Sequence, residues 1–148
     1  MIALGADHGG FYIKEEIKKY FDELDVKYED FGTYSIDRTD YPIYAERVAK
    51  SIQDDDCDCG ILICKSGAGM TVVANKFRGL RAAACFNKEM AGAAKADDDI
   101  NVLVIPAEYM TTSEIIATVR IWIATEFKGG RYKERLQMIE NIEEYEMK

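Results

Sequence analysis

The fold is decided by the stretch Ile61-Leu62-Ile63-Cys64-Lys65-Ser66-Gly67-Ala68-Gly69-Met70. Its apolar beginning is typical of a strand that is buried on both faces of a parallel sheet. The hydrophobic period then becomes helical as far as Ala74, so a strand passes through a glycine-broken loop into a helix. Open α/β sheets bind their ligands at the carboxyl ends of strands, which is where Cys64 falls. The stretch therefore predicts a parallel α/β sheet with a functional site at this strand end.

The rest of the sequence alternates strands and helices. Strands are predicted at Met1–Gly5, Val26–Phe31, Gly60–Cys64, Leu80–Cys85 and Asn101–Ile105. Five further helices are predicted. One follows the first strand, with Ile13, Ile17, Tyr20, Phe21 and Leu24 facing inward, and a second starts at Pro42, with Ala45, Val48, Ala49 and Ile52 facing inward. The others cover Lys88–Ala96, run from a capping box of Thr111 and Glu114 through Phe127, and start at Arg131 with Leu136, Ile139 and Ile142 on one side. This order predicts one α/β domain with a doubly wound, five-stranded parallel sheet and helices on both faces. The last helix packs either on its own domain or on a partner subunit.

Composition excludes several classes of protein. A chain of 148 residues with 48% hydrophobic content suits one domain with a sizeable core. Its net charge of −8 argues against nucleic-acid binding, which normally needs a basic face. No apolar stretch reaches membrane-spanning length, and the first strand has no basic signal region before it. The four cysteines are typical of reduced thiols, so we expect a cytoplasmic protein without nucleic-acid or membrane partners.

A first candidate cluster, Gly5-Ala6-Asp7-His8-Gly9-Gly10, follows the first strand. Its glycine spacing does not fit the dinucleotide-binding fingerprint. Asp7 and His8 would lie beside a helix N-terminus, a place suited to sugar hydroxyls or phosphate. The alternative interpretation is a tight turn that Asp7 caps. His8 is the only histidine, so no catalytic or metal site can use two from one chain.

A second candidate cluster is formed by Cys64, Ser66, Gly67 and Gly69. Cys64 is either an inert packing residue or a reactive thiol whose pKa is lowered by the backbone dipoles of the following helix. Lys65 would add to that lowering if its side chain faces the thiol. Successive backbone N–H groups in the loop would suit a developing oxyanion. A phosphate loop for a nucleotide is poorly supported, because no Gly-Lys-Ser/Thr ending is present.

A third candidate cluster lies at the start of the last helix. Arg131 and Arg135 are four residues apart and therefore share one helix face, which suits a phosphate clamp. Surface salt bridges to Glu134 or Glu140 are the alternative interpretation. The acidic run Asp97-Asp98-Asp99 predicts a turn that ends a helix, with a cation site as its alternative.

Two further short runs with acidic or thiol side chains lie between a predicted helix and a predicted strand. Asp54-Asp55-Asp56 predicts a solvated loop. Cys57 and Cys59 flank Asp58 just beyond it, but a metal site there lacks further ligands. We therefore expect no metal and no cofactor.

Combined, these motifs resemble those of the ribose-5-phosphate isomerase B and galactose-6-phosphate isomerase family of sugar-phosphate isomerases. The resemblance covers nearly the whole chain and rests on Gly5–Gly10, Arg38-Thr39-Asp40-Tyr41-Pro42, Gly60–Cys64, Ala74-Asn75-Lys76, Asn101-Val102-Leu103 and Gly129-Gly130-Arg131. It implies a single Rossmann-like three-layer sandwich over residues 1–148. It also implies a homodimer, in some members paired into a tetramer, with a C-terminal dimerisation helix and sites at the subunit interface.

The resemblance further implies metal-free aldose–ketose isomerisation through a cis-enediol. Cys64 would move the proton between C1 and C2, and Ser66 would relay protons between the substrate oxygens. Asp7 completes the catalytic set by contacting sugar oxygens. The expected substrate-binding residues are His8, Tyr41, Lys65, Gly67, Ala68, Gly69, Met70, Asp97, Asp98, Arg131 and Arg135, among which His8, Arg131 and Arg135 would hold phosphate.

Three departures from the family pattern bear on the substrate. The family's usual Cys-Gly-Thr-Gly is Cys64-Lys65-Ser66-Gly67 here. Asp97 stands where ribose-specific members carry their ring-opening histidine, and Glu108 stands where many carry a phosphate-binding arginine. Ribose 5-phosphate is the leading substrate hypothesis. The alternatives are an acyclic or short-chain sugar phosphate (a tetrose or tetrulose phosphate), a hexose 6-phosphate, and, outside this class, a catalytically weak sugar-phosphate-binding protein or a nucleotide-binding one.

Overall fold

A computed structural model describes residues 1–147, in which all five predicted strands form one parallel sheet. The strands are β1 (Ile2–Ala6), β2 (Tyr28–Asp30), β3 (Cys59–Cys64), β4 (Ala82–Ala84) and β5 (Val102–Pro106). Their order across the sheet is β2-β1-β3-β5-β4, and every pair is parallel. The quoted stretch therefore begins in the central strand. The edge strands β2 and β4 are shorter than predicted, because each pairs with a neighbour on one side only.

Within residues 1–147, four helices connect the strands, and a 3₁₀ turn (Ala107–Tyr109) and two more helices follow β5. The helices are α1 (Phe11–Leu24), α2 (Tyr41–Gln53), α3 (Ala68–Ala74), α4 (Lys88–Asp98), α5 (Thr112–Ala124) and α6 (Arg131–Glu146). Ile61 and Ile63 pack with α1, α4 and α5 on one face of the sheet. Leu62 and Cys64 pack with α2 and α3 on the other. The predicted three-layer arrangement is confirmed, and Cys64 points to the α2–α3 face.

Two helix details differ from the predictions. The capping box of α5 is present, since Glu114 N donates to Thr111 Oγ1 and Thr111 N donates to Glu114 Oε1. The helix nevertheless ends at Ala124 instead of Phe127, because Thr125 adopts an extended conformation and donates its hydroxyl to the Ile121 carbonyl. Leu24, predicted to face the core, is 55% exposed. It is the last residue of α1, and Asp25 then turns the chain in the left-handed conformation.

The last helix, α6, contacts its own domain mainly through its C-terminal end. Gly79 N donates to the Glu143 carboxylate, and the Arg78 guanidinium donates to the Met147 carbonyl. No residue of α6 is buried. Met138 and Ile142 are more than 60% exposed, so much of the apolar stripe is uncovered in a single chain. None of the helices within residues 1–147 has the length and apolar character needed to cross a membrane.

A close approach between α1 and β3 positions the first turn of the site. A Cβ atom on Gly10 would lie 2.4 Å from the Ile63 carbonyl oxygen and 2.7 Å from its carbon. Both atoms belong to backbone, so no side-chain rearrangement would relieve that contact. Glycine at this position therefore lets the start of α1 approach the carboxyl end of β3.

A buried ionic cluster joins α1 to β2. Lys14 is fully buried, and its Nζ lies 2.6 Å from Asp30 Oδ2 and 5.4 Å from the centre of the Phe11 ring. Lys18 Nζ lies 2.9 Å from the same carboxylate oxygen. Burial on its own raises the pKa of Asp30, but the hydrogen bonds from the two lysines outweigh it and leave that pKa below its ordinary value.

We expect Lys14→Met to reduce the free energy of unfolding by about 2 kcal/mol, because Asp30, whose side chain is only 14% exposed, keeps Lys18 as its only salt-bridge partner in the described residues. The loss should fade on acidification below about pH 4, since a carboxyl with a lowered folded-state pKa stabilises the fold only while ionised. Urea unfolding at several pH values measures both effects. The control is Lys19→Met, which removes an exposed pair with Glu16 and should cost about 0.5 kcal/mol or less. Equal urea midpoints for Lys14→Met and the parent would contradict this account.

Candidate active site

The candidate active site is a hollow of about 170 Å³ at the carboxyl ends of β1 and β3. The two strands are neighbours, with Ala6 paired to Ile63, so the residues that follow them emerge side by side. The hollow is lined by Asp7, His8, Tyr41, Cys64, Lys65, Ser66 and Gly69. Two of the three predicted clusters therefore meet in one place.

Cys64, the last residue of β3, is 5% exposed. Gly67 N donates to its Sγ at 3.2 Å, from the left-handed residue that precedes α3. Burial raises the pKa of the Cys64 thiol and the nearby negative charge of Asp7 adds to the rise, while the backbone N–H groups of Gly67, Met70 and Ser66 oppose it. The net shift is upward. The predicted lowering of this pKa is therefore wrong, because burial outweighs the backbone dipoles.

Asp7 both caps a turn and lines the hollow. Its Oδ1 accepts hydrogen bonds from Gly9 N at 3.0 Å and Gly10 N at 3.2 Å. The turn-capping alternative is thus confirmed, and the same residue lines the hollow together with Cys64. The two interpretations of Asp7 do not exclude each other, since a carboxylate that caps the turn also borders the hollow.

His8 is held by the loop that leads into α2. Its Nδ1 lies 3.2 Å from both the N–H and the carbonyl oxygen of Thr39. The Thr39 hydroxyl lies 2.8 Å from the hydroxyl of the buried Tyr44. Sequence reasoning did not single out Thr39, although it belongs to the quoted motif Arg38–Pro42. Thr39 contacts His8 through its backbone N–H and carbonyl, which every non-proline residue has, so the residue type gives no indication of this contact.

Tyr41 begins α2 and closes one side of the hollow. Its ring lies against Gly69, where a Cβ atom would come within 2.4 Å of Tyr41 Cε1 and Cζ. The missing side chain of Gly69 therefore leaves room for the aromatic ring, and a larger residue there would have to displace it. The contact brings the Tyr41 hydroxyl to the first turn of α3.

The remaining residues of the loop form the rim of the hollow. Ser66 Oγ accepts a hydrogen bond from Ala68 N at 3.2 Å, so its oxygen is oriented by the loop backbone. The Lys65 side chain lies across Gly9, where a Cβ would be 2.9 Å from Lys65 Cγ. It borders both this hollow and a neighbouring one that Glu108 also lines. Met70 is buried beneath the loop.

The third cluster lies outside this hollow in a single chain. The guanidinium carbons of Arg131 and Arg135 are 5.3 and 5.4 Å from the centre of the Tyr132 ring, and neither residue lines the walls around Cys64. Within residues 1–147 neither arginine forms a salt bridge, so the alternative interpretation, a pairing with Glu134 or Glu140, does not occur. Lys128, which sequence reasoning missed, has its Nζ 4.9 Å from the same ring centre.

The acidic run at the end of α4 is divided among different partners. Asp97 Oδ1 lies 2.8 Å from Lys128 Nζ, while Asp99 caps the helix in the left-handed conformation and pairs with Arg81. Asp98 borders a separate, largely apolar hollow between β4 and α6. The predicted helix-ending turn is confirmed. The cation-site alternative is wrong, since no three His, Cys, Asp or Glu side chains in the described part of the chain form a group that could hold a metal.

Comparisons with known sequences identify the family. A sequence profile described as Ribose/Galactose Isomerase matches residues 2–139. Ribose-5-phosphate isomerase B of Escherichia coli is 38% identical over 143 residues, which make up 97% of this chain and 96% of that protein. A putative sugar phosphate isomerase of Bacillus subtilis is 38% identical over 144 residues and 97% of both chains.

Solved structures agree with the sequence matches. Ribose-5-phosphate isomerase B of Clostridium thermocellum superposes with a TM-score of 0.95 at 35% identity, covering 97% of each chain. The enzyme of the same name from Mycoplasma genitalium, with bound ribulose 5-phosphate, has a TM-score of 0.91 at 33% identity and covers 97% of this chain and 95% of that one. By sequence and by fold, over nearly its whole length, the chain belongs to the ribose/galactose isomerase family.

Proposed function

We propose that the protein interconverts ribose 5-phosphate and ribulose 5-phosphate through a cis-enediol. One observation carries the proposal: a thiol that accepts a backbone N–H bond lies in one hollow together with Asp7, His8 and Tyr41. Such a site offers a base for the carbon-bound proton, donors for the developing charge, and polar groups for sugar hydroxyls. The ribulose 5-phosphate bound to the Mycoplasma genitalium relative supports this choice of substrate.

Each chemical step has a candidate group in the hollow. The Cys64 thiolate removes the proton from C2 of the open-chain aldose, the C–H electron pair forms the C1–C2 double bond, and the negative charge passes to O1. Backbone N–H groups of residues 66–70 stabilise that charge. The Ser66 hydroxyl passes the O2 proton to O1, and the Cys64 thiol returns its proton to C1, which gives the ketose. Asp7 and Tyr41 orient the sugar oxygens, while His8 holds the phosphate.

The raised pKa of Cys64 makes the loop essential to this chemistry. Because burial favours the neutral thiol, only a fraction of the free protein carries a thiolate at neutral pH. A base of high pKa is strong once ionised, so a small thiolate fraction is compatible with removing a proton from carbon. The enediolate must then be stabilised by the same N–H groups that surround the sulfur.

The proposed assembly is a homodimer. The apolar stripe of α6 is uncovered in one chain, with Met138 and Ile142 more than 60% exposed. Arg131 and Arg135 lie outside the hollow of their own subunit, so we assign them to the hollow of the partner, together with Asp97 and Asp98. The four free cysteines support the cytoplasm as the proposed location.

Cys64→Ala should lower turnover of ribose 5-phosphate by about a thousandfold or more, because it removes the base. Proton NMR in heavy water measures this directly, as deuterium incorporation at C1 or C2 during conversion. The matched control is Cys59→Ala, which alters the opposite end of β3 and should leave turnover near the parent rate. Deuterium incorporation by Cys64→Ala at the parent rate would exclude Cys64 as the base.

The pH dependence of Cys64 gives a second test. We expect kcat/KM to rise with pH through the ordinary thiol range, about pH 8.5, and beyond, because the Cys64 pKa is raised. Asp7→Asn should move the midpoint of iodoacetamide alkylation of Cys64 to lower pH, since Asp7 contributes negative charge that favours the neutral thiol. Peptide mass spectrometry separates Cys64 from the other cysteines. A midpoint that is unchanged or shifted to higher pH would contradict the assigned electrostatics.

A second candidate substrate is an acyclic, short-chain sugar phosphate such as a tetrulose phosphate. The Asp97–Lys128 ion pair favours it, because an ionised carboxylate has no proton to donate to a ring oxygen. An open-chain substrate needs no such donor. Asp97→His should then raise turnover of ribose 5-phosphate and leave turnover of erythrulose 4-phosphate unchanged. An equal change with both substrates, measured in the same NMR assay, would rule this candidate out.

A further inference from the structure

A compact cluster of cations surrounds one aromatic ring at the start of α6. Lys128, Arg131 and Arg135 all lie within 5.4 Å of the centre of the Tyr132 ring, measured from the lysine nitrogen or the guanidinium carbons. We call Lys128, Arg131, Arg135 and Tyr132 the C-terminal cation cluster. Exposed cation–π contacts are individually weak, so the Tyr132 ring by itself does little to offset the repulsion among three like charges.

The charge of this cluster is poorly balanced by acidic groups. Asp97 is the one carboxylate within ion-pair distance in the described residues, at 2.8 Å from Lys128 Nζ. Neither guanidinium group forms a salt bridge in these residues, and Asp97 acts on Arg131 only through a longer-range charge interaction. The whole chain carries a net charge of −8, so acidic side chains are abundant elsewhere and were available as partners. A local excess of positive charge in an acidic protein points to an anionic ligand.

Backbone contacts fix the position of Lys128 in the cluster. Lys128 N donates to the Ala96 carbonyl at 3.0 Å, which holds the residue against the end of α4 and beside Asp97. Gly129 and Gly130 then take positive φ values of 69° and 58° and reverse the chain into α6. This reversal brings the Lys128 ammonium over Tyr132, two residues beyond the glycines. The backbone of Lys128 is therefore positioned by the fold beside the first turn of α6, independently of any ligand.

We propose that Lys128 is a third phosphate-binding cation beside Arg131 and Arg135, and that Asp97 is a competing carboxylate which the phosphate displaces from it. The inference rests on the proposed function, because it takes a sugar phosphate as the ligand. A phosphate monoester presents three oxygens and close to two negative charges, which suit two guanidinium groups and one ammonium. The Asp97 oxygen occupies the position at Lys128 Nζ that a phosphate oxygen would take.

If phosphate displaces Asp97 from Lys128, substitutions of these two residues should change the affinity for phosphate in opposite directions. Lys128→Gln removes a cation from the phosphate and should weaken its binding about tenfold, as for the loss of one charge-assisted hydrogen bond. Asp97→Asn removes the competitor for Lys128 and should strengthen binding about threefold, a small part of a salt bridge at a partly exposed site. A pair with only a structural role would weaken binding in both variants. Lys128→Arg should retain most of the affinity, because it preserves the charge.

The measurement is calorimetric titration of the full-length protein with inorganic phosphate, followed by the inhibition constant of phosphate against ribose 5-phosphate. Lys133→Gln and Glu134→Gln are the matched controls. They make the same charge changes on exposed residues in the first turn of α6 that lie outside the C-terminal cation cluster, and they should shift the affinity less than twofold. In the kinetic assay Lys128→Gln should raise KM and leave kcat nearly unchanged.

The outcomes separate this inference from the proposed function. The inference is overturned if the parent does not bind inorganic phosphate, if Lys128→Gln behaves like Lys133→Gln, or if Asp97→Asn weakens binding. If the parent binds phosphate with the expected opposite effects but does not convert ribose 5-phosphate, the inference stands and the proposed substrate is wrong.

Discussion

The parallel pairing of β1 with β3 is the constraint on which the site depends. Ala6 lies opposite Ile63, so the next residues along the chain, Asp7 and Cys64, lie side by side at the same edge of the sheet. Gly10 permits this arrangement because its missing side chain lets α1 start against the Ile63 carbonyl. A carboxylate, a thiol and two glycine-dependent turns are thereby brought together by backbone hydrogen bonds alone. The register of β1 against β3 therefore determines which functional groups meet in the hollow, and side-chain packing then adjusts their positions.

The same geometry creates an opposition between stability and reactivity. Cys64 belongs to the apolar cluster between the sheet and α2–α3, and this burial favours the neutral thiol. Gly67 N partly compensates by donating to the sulfur, which favours the thiolate. The pKa of Cys64 therefore depends on the balance between burial, which raises it, and the N–H hydrogen bond, which lowers it. Because water is excluded from the buried sulfur, the thiolate forms only where the backbone N–H donors and the bound substrate stabilise its charge.

Much of the fold and part of the site were predictable from the sequence, for reasons that are local. Hydrophobic period marked the five strands, and strand-end chemistry marked Cys64 and Asp7. The pKa of Cys64 was predicted with the wrong sign, because the depth of burial and the approach of Asp7 are properties of the folded chain. Lys128 was missed for a similar reason: its partner Asp97 is distant in sequence, and only the backbone reversal before α6 brings the two together.

The tethering of α6 has a consequence for assembly. Its beginning is held to α4 through Lys128 N and the Ala96 carbonyl, and its end is held near β4 through Glu143 and Gly79. Because both ends of α6 are hydrogen-bonded to its own domain, the helix exposes its apolar stripe in a fixed orientation before any partner binds. In the proposed homodimer, two such surfaces would meet as rigid bodies, and association would not have to supply the entropy of ordering the helix. Subunit exchange would then be governed by the rate at which two finished surfaces separate, not by refolding of either chain.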